Sequence, residues 1–297
     1  MRPLRLVAAL FLLLLSVSPA VGQTSQMTFT LPEGPYRAGF RAVEQYDRTR
    51  TFEGDLSIGV QPRPLQTSIW YPARVSKTTR PMPYKQYAYL TASETSFPLL
   101  TPARKAATLA VFATQRGLTD SARRFNELEA PTRAFLHARQ ARGSFPVIIY
   151  GPSFSAPSFE NSVLAEYLAS NGYIVISSPC MGWHQRGMTG DLLGIEAQAR
   201  DMEFLLSYAA TLPGADTSRV AVMGFSWGGI SEVVFQLRDP RVNAVVALDG
   251  SIAYFWSLFR TAPSADLGRM DVPFLFLQSA PPPGTPPSSN VDTVFTF

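Results

Sequence analysis

A single cysteine, Cys180, stands among 297 residues, which excludes an intramolecular disulfide framework. Only two histidines occur, His137 and His184. Without H-E-x-x-H or C-x-x-C spacing, they make a poor metal site, and none is expected. The sequence has no Walker A loop and no G-x-G-x-x-G stretch, so phosphate and dinucleotide cofactors have no motif to rest on; none is expected. A formal net charge of +4, part of it from Arg2 and Arg5, gives no basic field that would recruit nucleic acid. What is present is apolar material: 46% hydrophobic against 16% charged residues, with a mean hydropathy of +0.04. Such a chain can bury a sizeable core, which excludes global disorder.

Residues 1–22 read as an export signal. Arg2 and Arg5 form a positive start, Leu6 to Leu15 is an unbroken apolar run, and Ala20-Val21-Gly22 offers small residues for cleavage. The run falls short of the ~20 residues needed to span a bilayer, so the expectation is a secreted or periplasmic protein with no stable membrane span after cleavage. No cysteine near the cut supports a lipid anchor. The remainder, 23–297, is expected to be one α/β domain.

Between 28 and 75 short alternating stretches, such as Gln66 to Tyr71 closed by Pro72, predict antiparallel strands at a sheet edge. Residues 85–142 turn rich in Ala, Leu and Arg, with helix starts at Thr119-Asp120 and Pro131. They predict a helical insertion, read either as a lid over a site or as a decoration. From Phe145 onward apolar strands (147–150, 173–176, 219–223, 243–248, 272–277) alternate with helices. One helix is capped at Ser158 and runs to Ser170. Another places Ile195, Ala199, Met202, Leu206 and Ala209 on one face. Strands apolar throughout, alternating with helices, predict an α/β fold with a mostly parallel central sheet covered on both faces. The Pro-rich stretch 281–287 reads as a loop.

The motif with chemical content is Gly224-Phe225-Ser226-Trp227-Gly228-Gly229, placed where strand 219–223 turns into the next helix. A serine hydroxyl needs a base to become a nucleophile. A sharp strand-to-helix turn flanked by small residues lifts its Oγ clear at the sheet edge. The Trp227 amide, opening the helix, points at a developing oxyanion. The alternative is a glycine-softened turn with an incidental serine.

In this context the sequence resembles the α/β-hydrolase superfamily, and within it the platelet-activating-factor acetylhydrolase and dienelactone-hydrolase-like esterases, over about residues 60–280. The resemblance rests on Arg63 to Pro72, on the elbow, and on Ala247-Leu248-Asp249. It implies a cofactor-independent serine esterase acting on a small-molecule carboxylic ester, with Ser226 where dienelactone hydrolases carry cysteine. Asp249, ending the strand after the nucleophile helix at the catalytic edge, is the expected acid ahead of a turn-capping role. Asp271 precedes the following strand and Asp292 comes only after a long loop. The second oxyanion amide is expected from Ser153 or Phe154 after strand 147–150, since Pro152 cannot donate. Tyr150 reads as a packing residue.

The order serine, acid, histidine meets no histidine after Asp249. The expectation is that the sequence stops before the histidine-bearing loop. His137 reads as a solvated residue on a basic helix, and His184, in the loop after strand 173–176, as a substrate contact. Cys180 reads as a buried apolar residue. Two other readings stay open: a serine peptidase of the same fold, and an inactive hydrolase-like binding protein.

Overall fold

A computed structural model describes residues 30–54 and 59–279. The export signal, the stretch 281–287 and Asp292 lie outside the described residues. Nine strands form one sheet: β1 (Arg37–Phe52), β2 (Gln61–Arg74), β3 (Ala134–Leu136), β4 (Arg139–Gln140), β5 (Phe145–Gly151), β6 (Ile174–Ser177), β7 (Ala215–Phe225), β8 (Ala244–Leu248) and β9 (Phe274–Leu277). Their order is β3-β1-β2-β6-β5-β7-β8-β9, with β4 paired to β2. From β6 to β9 all neighbours run parallel, as apolar strands linked by helices require. β1 and β2 form an antiparallel hairpin, and β2 runs antiparallel to β6.

The hairpin keeps close to the expected sheet edge, since β3 covers β1 only over Ala38 to Phe40. β2 is buried along nearly its whole length and lies between β1 and β6, while β3 is outermost. Proline is tolerated there because β6 pairs with β2 only over Ser68–Trp70. Pro62, Pro64 and Pro72 all fall outside that stretch, where no ladder donor to β6 is lost. Side chains of β2 feed two cores: Ile69, Tyr71 and Ala73 on one face and Trp70 on the other.

The insertion holds α1 (Lys85–Ala88), α2 (Pro102–Gln115) and α3 (Ser121–Glu129). Thr101 and Asp120 cap the last two by accepting from the amides of Arg104 and Arg123. Residues 131–142 depart from the helical expectation. Ala134 to Leu136 pair with Ala38 to Phe40 of β1, and Met82 exchanges backbone hydrogen bonds with Thr132 and Ala134. These pairings satisfy the backbone that Pro131 had seemed to start into a helix. His137 therefore sits exposed in a turn at φ 51°, not on a helix.

Three helices complete the fold: α4 (Ser162–Ser170), α5 (Leu192–Ala209) and α6 (Gly228–Gln236), followed by the short α7 (Trp256–Phe259). The predicted stripe on α5 is buried at all five positions. Helix α4 begins four residues later than its expected cap. Ser158 is instead buried, its hydroxyl 2.8 Å from that of Ser68, and the chain from 152 to 161 stays a loop at the carboxyl edge. Helix α6 is buried on every side, including Glu232, whose two carboxyl oxygens find no hydrogen-bond partner among the described residues.

That burial has a pH consequence. Desolvation holds the Glu232 carboxyl well above its ordinary value of 4.5, and burial raises Glu166 to about 7. Both acids hold their protons to higher pH when folded than the 4.5 at which they ionise when unfolded, so folding takes up protons above 4.5. Their stabilising contribution is complete below 4.5 and is lost as pH rises through the folded values. Glu232→Gln is expected to raise the melting midpoint at pH 8 and to change it little at pH 4. Equal shifts at both pH values, or a loss at pH 8, would contradict this reading.

Candidate active site

Five parallel strands end at one edge of the sheet, and the connections leaving β5, β7 and β8 meet there. The sharpest bend is at Ser226, which takes φ 51° between β7 and α6. A non-glycine residue in the left-handed region is strained and persists only where its surroundings impose it. Here they do. The Ser226 amide donates to Leu248 O at 3.0 Å, and its carbonyl accepts from Ser251 N at 2.7 Å and Gly229 N at 2.9 Å. The bend also needs glycine on both sides. A Cβ at Gly224 would stand 2.3 Å from the Gly228 carbonyl carbon, and one at Gly228 would stand 2.0 Å from Gly151 O. Ser226 itself is half-buried, and its hydroxyl has no hydrogen-bond partner among the described residues.

Asp249 follows Leu248 as Ser226 follows Phe225, and those two residues are directly paired across β7 and β8. One inter-strand spacing, roughly 4.8 Å, separates the two strand ends, so both residues leave the sheet at the same edge. Asp249 also has positive φ, 48°, and its amide donates to Leu277 O at 2.6 Å. Its Oδ1 accepts from the Tyr254 hydroxyl at 3.2 Å and its Oδ2 from Ser279 Oγ at 2.8 Å. Gln278 Nε2 donates to the same Tyr254 oxygen at 3.0 Å. The side chain is thus oriented by neighbours, beyond any turn-capping role. Asp271 precedes β9 and lies at the opposite edge.

Trp227 caps α6. As the first residue of that turn its amide has no helical acceptor, so it is open to an oxyanion. The second donor differs from one of the two expectations. Ser153 is withdrawn: its amide donates to Glu160 Oε2 at 2.9 Å, and its hydroxyl bonds the other Glu160 oxygen. A donor saturated by a carboxylate cannot serve an oxyanion. Phe154, the next residue, keeps its amide and packs its ring edge-on against Trp227 at 5.4 Å. Tyr150 is buried, its hydroxyl bonded to Asn161, and packs as expected.

Neither histidine reaches the serine. His184 Nδ1 is 3.4 Å from Glu53 Oε1, and its carbonyl accepts from the amides of Glu53 and Gly54 at the end of β1. β1 lies four strands from β7, roughly 19 Å at 4.8 Å per step. His137 is one strand further, beside β3. Burial pushes the Cys180 thiol up to about 12, so it is no competing nucleophile. Among the described residues no three His, Cys, Asp or Glu side chains are grouped to hold a metal, and no helix is long and apolar enough to cross a membrane.

Reading from sequence missed Glu160, Tyr254, Gln278 and Ser279. Each acts through a loop contact that leaves no periodic trace.

With this geometry in place, comparison with known proteins places the chain. The family model described as X-Pro dipeptidyl-peptidase (S15 family) matches residues 63–261. The chain belongs to the S15 family. Among solved structures, a ferulic acid esterase from Streptomyces cinnamoneus superposes with a TM-score of 0.56 at 22% identity, covering 84% of this chain and 67% of that one. This likeness confirms the α/β-hydrolase fold. A dienelactone hydrolase-like promiscuous phosphotriesterase from metagenomic libraries gives a TM-score of 0.47 at 14% identity, covering 87% and 77%. In sequence, a thiohydrolase of Arthrinium phaeospermum is 25% identical over 118 residues, 39% of this chain and 38% of that relative. The chain thus spans well under half the length of that curated relative.

Proposed function

We propose that this chain hydrolyses carboxylic esters through an acyl-enzyme on Ser226. Ser226 Oγ attacks the carbonyl carbon while its proton passes to an imidazole base held against Asp249, one that neither His137 nor His184 provides. The Trp227 and Phe154 amides donate hydrogen bonds to the carbonyl oxygen as negative charge develops on it. The base returns the proton to the departing alkoxide, and water then attacks the acyl-enzyme by the same route. Export through residues 1–22 belongs to the same proposal. The observation that carries it is Ser226 held at φ 51° between a strand and a helix, beside the Asp249 strand end.

Membership of a family described by a dipeptidyl-peptidase favours one second reading, cleavage of a peptide after proline by the same groups. Initial rates on p-nitrophenyl butyrate and on an Xaa-Pro p-nitroanilide separate the two. The expected result is ester turnover well above anilide turnover; faster release from the anilide would replace the esterase reading with the peptidase one.

A further inference from the structure

We propose that Glu160 is the positioning residue of the oxyanion loop: by tying down Ser153 it aims the neighbouring amide, that of Phe154, at the carbonyl attacked by Ser226. This rests on Ser226 as the nucleophile and on the Phe154 amide as an oxyanion donor. The chain leaving β5 lies directly on the elbow. Gly151 pairs with Gly224, and a Cβ at Gly228 would stand 2.0 Å from Gly151 O and 3.1 Å from Pro152 O. The residues that follow make a tight turn. Ala156 N donates to Ser153 O at 3.0 Å, with Ser155 left-handed at φ 57° and Phe154 outside that region. This is the pattern of a type II turn, whose own hydrogen bond does not use the N–H of its second residue. The Phe154 N–H accordingly has no acceptor among the described residues.

Serine at a position that favours glycine is strained, and such strain persists only where the surroundings fix it. Ser155 Oγ accepts from Met188 N at 2.9 Å, and Ala156 O accepts from Cys180 N at 2.9 Å. On the other flank Pro152 O accepts from Gln198 Nε2 at 2.8 Å. Between these anchors stands Ser153, and Glu160 holds it twice. One carboxyl oxygen accepts from its amide at 2.9 Å and the other from its hydroxyl. The peptide plane that carries the Phe154 N–H turns on the Ser153 ψ and Phe154 φ torsions alone. Gripping Ser153 by backbone and side chain together therefore sets where that N–H points. An oxyanion donor contributes only when it is aimed before the charge develops.

Steady-state hydrolysis of p-nitrophenyl butyrate by the full chain, with imidazole present, tests the clamp. Glu160→Ala is expected to lower kcat about 10- to 100-fold, short of the loss of a whole donor, with KM changed less than about twofold. Glu160→Gln should recover most of that loss, because its amide oxygen accepts from the Ser153 N–H and its NH2 donates to the Ser153 hydroxyl oxygen. Ser153→Ala keeps the amide contact and loses only the hydroxyl one, so kcat should fall about two- to tenfold at unchanged KM. An equal or faster kcat in Glu160→Ala would overturn the proposal and return the freed Ser153 amide to the oxyanion. A rise in KM at constant kcat, or a Glu160→Gln variant as slow as Glu160→Ala, would overturn it too. Turnover that requires Ser226 and ignores Glu160 sinks the clamp alone. Turnover that is absent from the unaltered chain, or survives Ser226→Ala, overturns Ser226 as nucleophile and the clamp with it.

Discussion

Imidazole added to the 297-residue chain is expected to raise its rate of p-nitrophenyl ester hydrolysis on the order of 10- to 100-fold, saturably. A positioned acid–base group supplies about 10² to 10⁴, and a free imidazole that must be captured first recovers only the lower part of that range. The expectation follows from distances. The two histidines of the sequence lie four and five strands from β7, whereas Ser226 and Asp249, the proposed nucleophile and acid, follow paired residues of neighbouring strands. A base entering between Ser226 and Asp249 meets an exposed carboxylate edge already aligned by Tyr254 and Ser279. Ser226→Ala should abolish the imidazole-dependent rate. Asp249→Asn should reduce it, because an amide cannot stabilise the imidazolium that forms. The ring of His184 is engaged with Glu53, so His184→Gln should leave the response unchanged. If the rate were insensitive to imidazole and fell instead with His184→Gln, the chain order of the triad would have to be rewritten around that residue.

Arg63→Met is expected to cost about 3–5 kcal/mol of stability, a fall in melting midpoint on the order of 10 °C for a domain of this size. The Arg63 guanidinium is buried and fully used. It forms a two-pronged pair with Asp201 at 2.7 and 2.6 Å. It also donates to the carbonyls of Met181, Gly182 and Trp183 at 3.1, 2.6 and 3.2 Å. Asp201 is shared with Arg50, at 2.7 Å, and Arg50 in turn holds Asp47 at 2.6 Å. Methionine fills similar volume yet takes the donor from the buried Met181 and Gly182 carbonyls and leaves Asp201 half-neutralised. Arg63→Lys should recover little, since one ammonium cannot reproduce the fork. The contrast is Arg219→Ala on the surface pair with Asp216, which should leave the midpoint where it was. Thermal melts of the variants at one pH decide it. Equal behaviour of Arg63→Met and Arg219→Ala would show that the buried network contributes nothing.

The same arginine marks where reading from sequence succeeds and where it stops. The stretch beginning at Arg63 was legible as a feature carried by a family, and it is where the S15 match begins. Its partner Asp201 lies 138 residues away, and no local pattern announces such a pairing. The elbow was legible for a physical reason. Gly224 and Gly228 are dictated by backbone contacts of their own turn, so the chemistry is written into adjacent letters. The α5 stripe and the parallel strands were legible because burial repeats with the period of the element. Pro131 misled because pairing to β1 outweighed a helix-start signal. At the site, Ser153 and Phe154 were indistinguishable as letters. Only the Glu160 side chain, folding back seven residues, consumes one amide and leaves the other.

The most direct test of the account is intact-mass and peptide mapping after treatment with a fluorophosphonate probe in the presence of imidazole. The account predicts one adduct, on the peptide containing Ser226, absent from Ser226→Ala. An adduct on any other hydroxyl of the folded chain, or none at all, would contradict it.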